Sequence, residues 1–372
     1  MKSSSDIIVI GGGIIGCSIA YRLAQQGAKV TVIEKGQPGE EASKAAAGML
    51  APQAEAAHGL HDPMAELCFA SHALYPDFVA ELEEVSGIRI GYQTTGSIYV
   101  AADFKEAQVL AGLLERQLKA GRPAEEISPQ QLGEMEPALT HQIETAIYLP
   151  NDHHVNNRQL MRALVAAASQ CGVEFIPHTP ALGLEFKGER SVGVRLPGRI
   201  ISGDTIINAA GCWAGLVDSG NRIQLPVRPI RGQIVCLQQQ PQPLRHLIHS
   251  SGCYLVPWPD GRILVGSTVE NVGYNKEVTA KGMQQLLEAA IKVAPDLASA
   301  AIQDVWAGLR PDTPDNLPIL GTTAIPNLII ASGHFRNGIL LAPITAKLIA
   351  DLIITGHTSI SLDLFRPGRF AK

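Results

Sequence analysis

The first 34 residues alternate between apolar runs and turn-forming residues in the pattern of a βαβ unit. Residues 6–10 (DIIVI) form a short, β-branched apolar run that predicts a buried parallel strand. The glycine-rich segment 11–16 (GGGIIG) follows, and the helical pattern after it is expected to end at Gly27. Residues 29–34 (KVTVIE) then predict the second strand.

Capping residues divide the middle of the chain into helices. A helical pattern covers residues 55–87, and two prolines are expected to interrupt it. Asp103, Ser128 and Asn156 each stand immediately before a helical pattern and are predicted N-caps. These signals predict at least four helices before the first long strand-rich region.

The pattern changes between residues 230 and 270. Three short apolar segments (GQIVCL, CYLVPW and RILVGST) are separated by turn residues, which predicts antiparallel sheet. A helix is expected over about 279–293, and a last strand (LIIAS) precedes a long apolar helix. Because βαβ character occurs at the start, middle and end, the sequence predicts an α/β fold, α+β overall, with antiparallel sheet inserted.

Composition narrows the class of protein. With 372 residues, 46% apolar and 17% charged, the chain can bury a large core, and disorder is not expected. The net charge of -5 gives no reason to expect binding to nucleic acid or to anionic membranes.

Cysteines and histidines give no sign of a metal site. The six cysteines form no CxxC pair and no zinc spacing, as expected for reduced thiols in a cytoplasmic protein. The one adjacent histidine pair, His153 and His154, lies in the polar stretch PNDHHVNNR. We expect a solvated loop there rather than a metal centre.

No membrane segment is expected. The N-terminus resembles a signal peptide, but Asp6 interrupts its start and the apolar run carries a glycine pattern with its own purpose. The longest apolar run, 339–355, contains Lys347 and Asp351. We therefore expect a soluble protein.

The glycine pattern of residues 11–16 predicts a dinucleotide site. Gly11, Gly13 and Gly16 fit G-x-G-x-x-G, follow a predicted strand and open a predicted helix. The first glycine allows a tight turn, the second lets the backbone approach a pyrophosphate, and the third lets helix and strand pack closely. Glu34 ends the second strand, where a carboxylate would accept hydrogen bonds from an adenosine ribose, as in FAD or NAD but not NADP. The alternative is a glycine-rich turn without a ligand.

The segment after Glu34 favours FAD. Residues 35–50 (KGQPGEEASKAAAGML) are rich in alanine and glycine, so their backbone can approach a large planar ligand. A cofactor that also needs the distant segment 333–343 (GHFRNGILLAP) must be long and extended, which fits FAD better than NAD.

Five segments together resemble the D-amino-acid-oxidase family of FAD-dependent oxidoreductases, and within it the glycine oxidase branch. They are VIGGGIIG with VIE, SKAAAGMLAPQAE, INAAGCWAG, WAGLRPDTPDNLPILG and GHFRNGILLAP. The resemblance runs from residue 6 to about 365. It implies a Rossmann-like FAD-binding domain of discontinuous segments and a substrate domain with a large antiparallel sheet over the flavin.

The resemblance also suggests domain limits. The FAD-binding domain would comprise residues 1–54, 151–222 and 306–372. The substrate-binding domain would comprise residues 55–150 and 223–305.

The resemblance implies a set of residues that bind FAD without a covalent bond, since residues 305–325 hold no cysteine. The set is Gly11, Gly13, Ile14, Ile15, Gly16, Glu34, Lys35, Ser43, Ala46, Ala47, Gly48, Met49, Ala181, Ala210, Gly211, Trp213, His334, Arg336, Asn337, Gly338 and Ile339. For Met49 a core role is the alternative, and for Arg336 a structural ion pair. The helix that begins in the last segment would stabilise negative charge on reduced flavin.

The implied substrate residues are Arg310, Tyr254 and Arg336. An α-amino acid presents a carboxylate, which suits the bidentate fork of arginine. Arg310 matches the carboxylate-binding arginine of the family, and Tyr254 matches its carboxylate-binding tyrosine; a surface arginine and a core aromatic are the alternatives. No general base is required if the amine arrives neutral. Val269, His249 and Gly252 depart from the pattern expected beside the substrate, which leaves the preferred amine open.

The implied reaction is oxidation of glycine, sarcosine or small D-amino acids by hydride transfer to FAD, with O2 reduced to H2O2. Its imine product would supply the synthesis of the thiamine thiazole, and the resemblance implies a homo-oligomer such as a tetramer. The alternative enzyme is a D-amino-acid or proline dehydrogenase with another electron acceptor. The acidic charge opposes a tRNA-modifying oxidase, and Arg310 with Tyr254 opposes a non-catalytic flavin-binding subunit.

Overall fold

The computed structural model describes residues 4–55, 62–101 and 103–370. An eight-stranded sheet carries the predicted βαβ unit. Its path runs β10-β11-β12-β1-β2-β9, with β19 beside β12 and β18 beside β19. The strands are β1 Ser4–Ile10, β2 Val30–Ile33, β9 Glu174–Ile176, β10 Gly183–Lys187, β11 Arg190–Leu196, β12 Arg199–Asn208, β18 Ile319–Thr322 and β19 Leu328–Ser332. The central pairs β19-β12, β12-β1, β1-β2 and β2-β9 are parallel, so their carboxyl ends meet at one edge.

A second eight-stranded sheet has the order β17-β13-β16-β15-β14-β5-β7-β6. Its strands are β5 Ser97–Ala101, β6 Glu125–Ile127, β7 Thr145–Leu149, β13 Arg228–Gln238, β14 Leu247–His249, β15 Tyr254–Pro257, β16 Arg262–Gly266 and β17 Ala301–Asp312. All its pairs are antiparallel except β14-β5. The antiparallel sheet predicted over 230–270 is therefore confirmed. The proposed domain limit at residue 306 falls inside β17, and the division into domains stays a prediction.

Nine α-helices complete the described part of the chain. They are α1 Ile14–Gln25, α2 Ala42–Ala45, α3 Pro52–Glu55, α4 Asp62–Ser86, α5 Phe104–Lys119, α6 Pro129–Met135, α7 Asn157–Gln170, α8 Ala280–Val293 and α9 Gly338–Thr355. Short 3-10 helices cover Gly211–Leu216, Pro295–Ser299, Phe335–Asn337 and Pro367–Phe370. The predicted caps are confirmed, because Asp103, Ser128 and Asn156 each accept a hydrogen bond from the first turn of the following helix.

Two local predictions were wrong. Pro63 and Pro76 do not interrupt α4: Pro63 lies in the first turn, where its missing N–H has no helical partner anyway, and Pro76 is accommodated inside. Residues 56–61 of the predicted helix lie outside the described residues. The histidine pair is not a solvated loop. It lies on β8 (His153–Val155), which pairs with β3 (Met49–Leu50) and β4 (Tyr92–Gln93), and His154 is buried.

The apolar C-terminal helix is a core helix. α9 packs against α1 and α4, and the side chains of Lys347 and Asp351 form an i,i+4 ion pair with 2.6 Å between Nζ and Oδ2. Residues 335–355 are long and apolar enough to span a membrane, yet most of this stretch is buried inside the protein.

Candidate active site

A cavity of about 500 Å³ is lined by residues of both large sheets. Three distant segments meet at its wall: residues 10–15, residues 41–49 and residues 331–339. The FAD-binding and substrate residues predicted from sequence line this cavity, except Gly16 and Asn337. The tertiary structure therefore brings together residues that are up to 329 positions apart, from Ile10 to Ile339.

The glycines between β1 and α1 allow a close approach of backbone segments. Gly11 has φ +105, and a Cβ there would lie 2.5 Å from the carbonyl oxygen of Ala209. A Cβ on Gly16 would lie 2.0 Å from the carbonyl oxygen of Gly11, so Gly16 packs helix on strand and need not reach the cavity. The N–H of Ile14, in the first turn of α1, donates to Ser43 Oγ over 2.8 Å. The helix N-terminus thus faces the cavity with a hydroxyl beside it.

Glu34 has the position and partners of a ribose-binding carboxylate. Its Oε2 atom accepts from Gly12 N at 2.7 Å and its Oε1 atom from Gly36 N at 2.9 Å. These bonds fix the carboxylate at the wall of the cavity, where further lone pairs can accept from a ligand hydroxyl.

Lys35 and Trp213 form the neighbouring wall. Lys35 Nζ lies 3.2 Å from the centroid of the Trp213 ring and 2.9 Å from Glu41 Oε1. Tyr274 lies beyond Trp213, with 5.7 Å between ring centroids. This aromatic and charged group shapes the end of the cavity near Glu34.

The small-residue loop 42–49 is held from outside by long side chains. Trp306 Nε1 donates to the carbonyl of Ala45 at 3.0 Å, and Asn157 Nδ2 donates to the carbonyl of Ser43 at 2.6 Å. A Cβ on Gly48 would lie 1.9 Å from the carbonyl oxygen of Val155. The loop can therefore present backbone and methyl groups to a planar ligand without moving.

Residues 332–339 form the opposite wall. His334 is buried, bonds Thr345 Oγ1 over 3.1 Å, and burial lowers its pKa to about 3, so the imidazole is neutral. Arg336 Nε lies 3.2 Å from Glu55 Oε2, so the structural ion pair is present and the side chain also lines the cavity. Asn337 is buried, and its backbone N–H donates to the carbonyl of His334. It does not line the cavity. Gly338 and Ile339 begin α9 at the cavity.

Arg310 on β17 and Tyr254 on β15 are separated by strands β13 and β16 of the second sheet, and both side chains line the cavity. Arg310 Nη1 donates to the carbonyl of Thr268 at 3.1 Å, and Nη2 donates to Ser267 Oγ. Burial lowers the pKa of Arg310, but a guanidinium starts so high that it stays charged. Burial also raises the pKa of Tyr254, which keeps its hydroxyl protonated and able to donate. A fixed guanidinium fork beside a phenol suits a small carboxylate.

Several residues of this site were missed by sequence reasoning. Gly232 makes room for the Arg310 fork, since a Cβ there would lie 2.3 Å from Arg310 Nη2. Gly266 makes room for the phenol, since a Cβ there would lie 2.3 Å from Tyr254 Oη. Glu55 brings a carboxylate into the cavity, and Tyr99 stacks on His249 with 5.4 Å between centroids. The glycines inside apolar strands were the available signal, because glycine in a strand often marks close approach.

The residues present fit FAD. An extended cavity joins a helix N-terminus, a fixed carboxylate and a small-residue loop to a second helix N-terminus at α9. Backbone amides and helix dipoles suit a pyrophosphate at the first helix and an electron-rich ring at the second.

Comparisons with known proteins agree with this geometry. The family model described as DAO, FAD dependent oxidoreductase, matches residues 6–352. The bifunctional protein ThiO/ThiG of Trichormus variabilis is 39% identical over 99% of this chain, which spans only 55% of that relative. Glycine oxidase of Geobacillus kaustophilus is 34% identical, covering 98% of this chain and 97% of the relative.

Solved structures show the same fold. The crystal structure of glycine oxidase from Geobacillus kaustophilus superposes with a TM-score of 0.94 at 33% identity and covers 99% of this chain and 100% of its own. L-proline dehydrogenase from P. horikoshii superposes with a TM-score of 0.89 at 26% identity, covering 100% and 98%. Since the family model spans nearly the whole chain, the protein belongs to the DAO family of FAD-dependent oxidoreductases.

Proposed function

We propose that the protein catalyses the FAD-dependent oxidative deamination of glycine and of other small amines such as sarcosine and small D-amino acids, with O2 as electron acceptor and H2O2 as product. The observation that carries the proposal is the fixed fork of Arg310 beside the Tyr254 phenol at the cavity wall. Binding FAD alone requires neither group. The relatives named glycine oxidase support the same substrate class.

Arg310 and Tyr254 would hold the substrate carboxylate. The guanidinium is anchored by Thr268 and Ser267, so little side-chain freedom is lost when a carboxylate binds. Orientation of the α-carbon is then the main contribution of the protein to the rate. Bound FAD accepts the two electrons of amine oxidation and is reoxidised by oxygen.

The segment 334–339 would stabilise the charge that reduction places on the cofactor. The N-terminus of α9 offers backbone N–H groups and a positive dipole end. Arg336 adds a cation whose own charge is balanced by Glu55. The neutral His334 adds no charge and is held by Thr345.

The place of the enzyme in the cell is part of the proposal. A cytoplasmic homo-oligomer, such as a tetramer, would release an imine that a thiamine thiazole synthase consumes. The ThiO/ThiG relative supports this link, because its name calls it a bifunctional protein and about half of it corresponds to this chain.

The second candidate is a D-amino-acid or proline dehydrogenase that passes electrons to an acceptor other than oxygen. The similarity to L-proline dehydrogenase from P. horikoshii favours it. Both candidates use the same carboxylate site, so oxygen consumption distinguishes them.

The test is oxygen uptake by the FAD-bound protein with glycine, sarcosine, D-alanine and D-proline, with the Arg310→Ala variant alongside. The oxidase predicts uptake with H2O2 formation, led by glycine or sarcosine and lost in the variant. Flavin bleaching without oxygen uptake would establish the dehydrogenase. If no amine reduces the flavin under anaerobic conditions, the proposed substrate class is wrong.

A further inference from the structure

A second cavity, of about 250 Å³, lies next to the loop that forms the wall of the FAD site. Its lining includes Arg158 at the start of α7, Arg262 and Trp258 from the second sheet region, and Trp306 and Asp304 of β17. Two of the three tryptophans of the chain therefore face one small cavity. The proposed reaction does not use this group of residues.

Arg158 is the cation of this cavity that has no ion pair. Its Cζ atom lies 4.6 Å from the centroid of the Trp306 ring, and none of the carboxylates in the described ranges lies within 4.0 Å of it. A guanidinium stacked on an indole keeps its N–H donors in its own plane, where they remain available to an acceptor. Arg158 can therefore receive one anionic group.

The other charges of the lining are already engaged. Arg262 Nε donates to Asp260 Oδ2 at 2.8 Å, and its guanidinium lies 6.0 Å from the Trp258 ring centroid. Asp304 Oδ1 accepts from the N–H of Val305 at 2.8 Å. The negative charge of Asp304 disfavours a ligand that carries more than one negative charge. One free guanidinium and two indoles suit a ligand with one anionic group and one flat ring.

This cavity shares its wall with the FAD site. Ala46 lines both cavities, and Trp306 donates from Nε1 to the carbonyl of Ala45 at 3.0 Å. A ligand that packs against Trp306 contacts the residue that holds the small-residue loop in place. Its binding energy can thus depend on the position of that loop, which is the requirement for coupling between two sites.

We propose that the second cavity binds a small planar molecule that carries an anionic group, with Arg158 as the anchor of the anion and Trp306 as the link to the FAD loop. The ligand binds outside the amine cavity. Its occupancy alters the affinity of the protein for FAD through the Trp306 contact with Ala45.

The test is titration of the FAD-bound protein with benzenesulfonate, a flat monoanion, by isothermal titration calorimetry, with tryptophan fluorescence as a second signal. Loss of a charge-assisted bond predicts that Arg158→Ala weakens binding by about tenfold or more. Arg158→Lys keeps the positive charge but not the guanidinium fork, so we expect its affinity to lie between those of the parent protein and Arg158→Ala. Arg310→Ala controls for binding in the amine cavity. Arg222→Ala controls for loss of a stacked arginine, since Arg222 stacks on Phe186 at 4.0 Å outside both cavities.

Affinity that falls in Arg158→Ala and persists in Arg310→Ala and Arg222→Ala supports the site. Absence of binding heat up to about 10 mM, a range that covers weak millimolar ligands, overturns it. So does binding that survives in Arg158→Ala or disappears in Arg310→Ala. The coupling is measured as the dissociation constant of FAD with and without benzenesulfonate, and an unchanged constant at saturation overturns the link through Trp306. None of these readouts needs turnover, so they stand apart from the test of the oxidase.

Discussion

The Nε atom of Arg336 lies 3.2 Å from the Oε2 atom of Glu55 at the wall of the large cavity. Glu55 is the more buried partner, with 11% of its side chain exposed against 35% for Arg336. Removing Arg336 and removing Glu55 should therefore lower the free energy of unfolding by different amounts. A buried carboxylate without its cation is less stable than a half-exposed guanidinium without its anion.

We expect Arg336→Met to lower the free energy of unfolding by about 2–3 kcal/mol, because it leaves the Glu55 carboxylate unpaired. Glu55→Gln should lower it by about 1 kcal/mol or less, because it removes the buried charge together with the ion pair and leaves the half-exposed Arg336 able to reach water. Urea denaturation of both variants, saturated with FAD, measures the difference. Equal losses in the two variants would contradict the asymmetry.

A methyl group at position 232 should impair substrate binding without impairing the fold. The added Cβ would lie 2.3 Å from Arg310 Nη2, which is the end of a flexible side chain that can move away. We expect Gly232→Ala to raise KM for a carboxylate substrate by about tenfold or more, while FAD affinity stays unchanged. Steady-state kinetics and FAD titration measure the two effects.

Gly133→Ala is the matched control, because a Cβ there meets nothing within 4 Å. It should leave KM as it is and add up to about 1 kcal/mol of stability, since alanine is the better helix former. If Gly232→Ala loses FAD or unfolds instead, the glycine serves the fold rather than the Arg310 fork.

Pro343 inside α9 explains a buried tyrosine bond. Pro343 has no N–H to donate to the carbonyl of Ile339, four residues earlier, and the hydroxyl of Tyr75 donates to that carbonyl instead. Tyr75→Phe would leave a buried carbonyl without a donor and should cost about 1–3 kcal/mol of stability.

Tyr148→Phe provides the comparison for Tyr75. The Tyr148 hydroxyl donates to the carbonyl of Thr95 at 3.2 Å in an exposed position, where water can replace it. Its loss should cost about 0.5 kcal/mol or less. Thermal or urea denaturation measures the loss of stability in both variants. A smaller loss in Tyr75→Phe than in Tyr148→Phe would show that the carbonyl of Ile339 has another donor.

Buried histidines should make the protein sensitive to acid. Burial lowers the pKa of His334 to about 3 and that of His154 to about 4, so both are neutral in the folded protein. The unfolded chain binds a proton at each below about pH 6.5, so stability is full above that pH and falls as the pH drops toward the folded values. Asp152 acts in the opposite direction, because burial raises its pKa to about 7.

The difference between a variant and the parent isolates one histidine. We expect His154→Asn to reduce the loss of unfolding free energy between pH 6.5 and 4 by up to about 1.4 kcal/mol per pH unit, the value for one proton. Urea denaturation at stepped pH measures both slopes, and the region above pH 7.5 serves as the internal reference. Identical slopes below pH 6.5 would show that His154 is protonated in the folded protein.

Most of what could be predicted depended on residues that are close together in the sequence. The dinucleotide motif Gly11, Gly13 and Gly16 with Glu34, and the caps at Asp103 and Ser128, depend on spacings of a few residues, on backbone sterics or on a short βαβ unit. Such features are local, so they predict the class of fold and a dinucleotide site at the end of the first strand without knowledge of the tertiary structure.

The tertiary structure alone decided which residues meet across long separations. Glu55 reaches Arg336, and Gly232 faces Arg310. His154 becomes a buried strand residue because β8 pairs between β3 and β4 and the His154 ring packs on Trp258. Local spacing does not predict the partner in any of these contacts, since each depends on the register of strands and the packing of helices that are distant in sequence. The second cavity likewise matches no sequence motif, because Arg158 and Trp306 are 148 positions apart and meet only in the fold, where α2 packs against both α7 and β17.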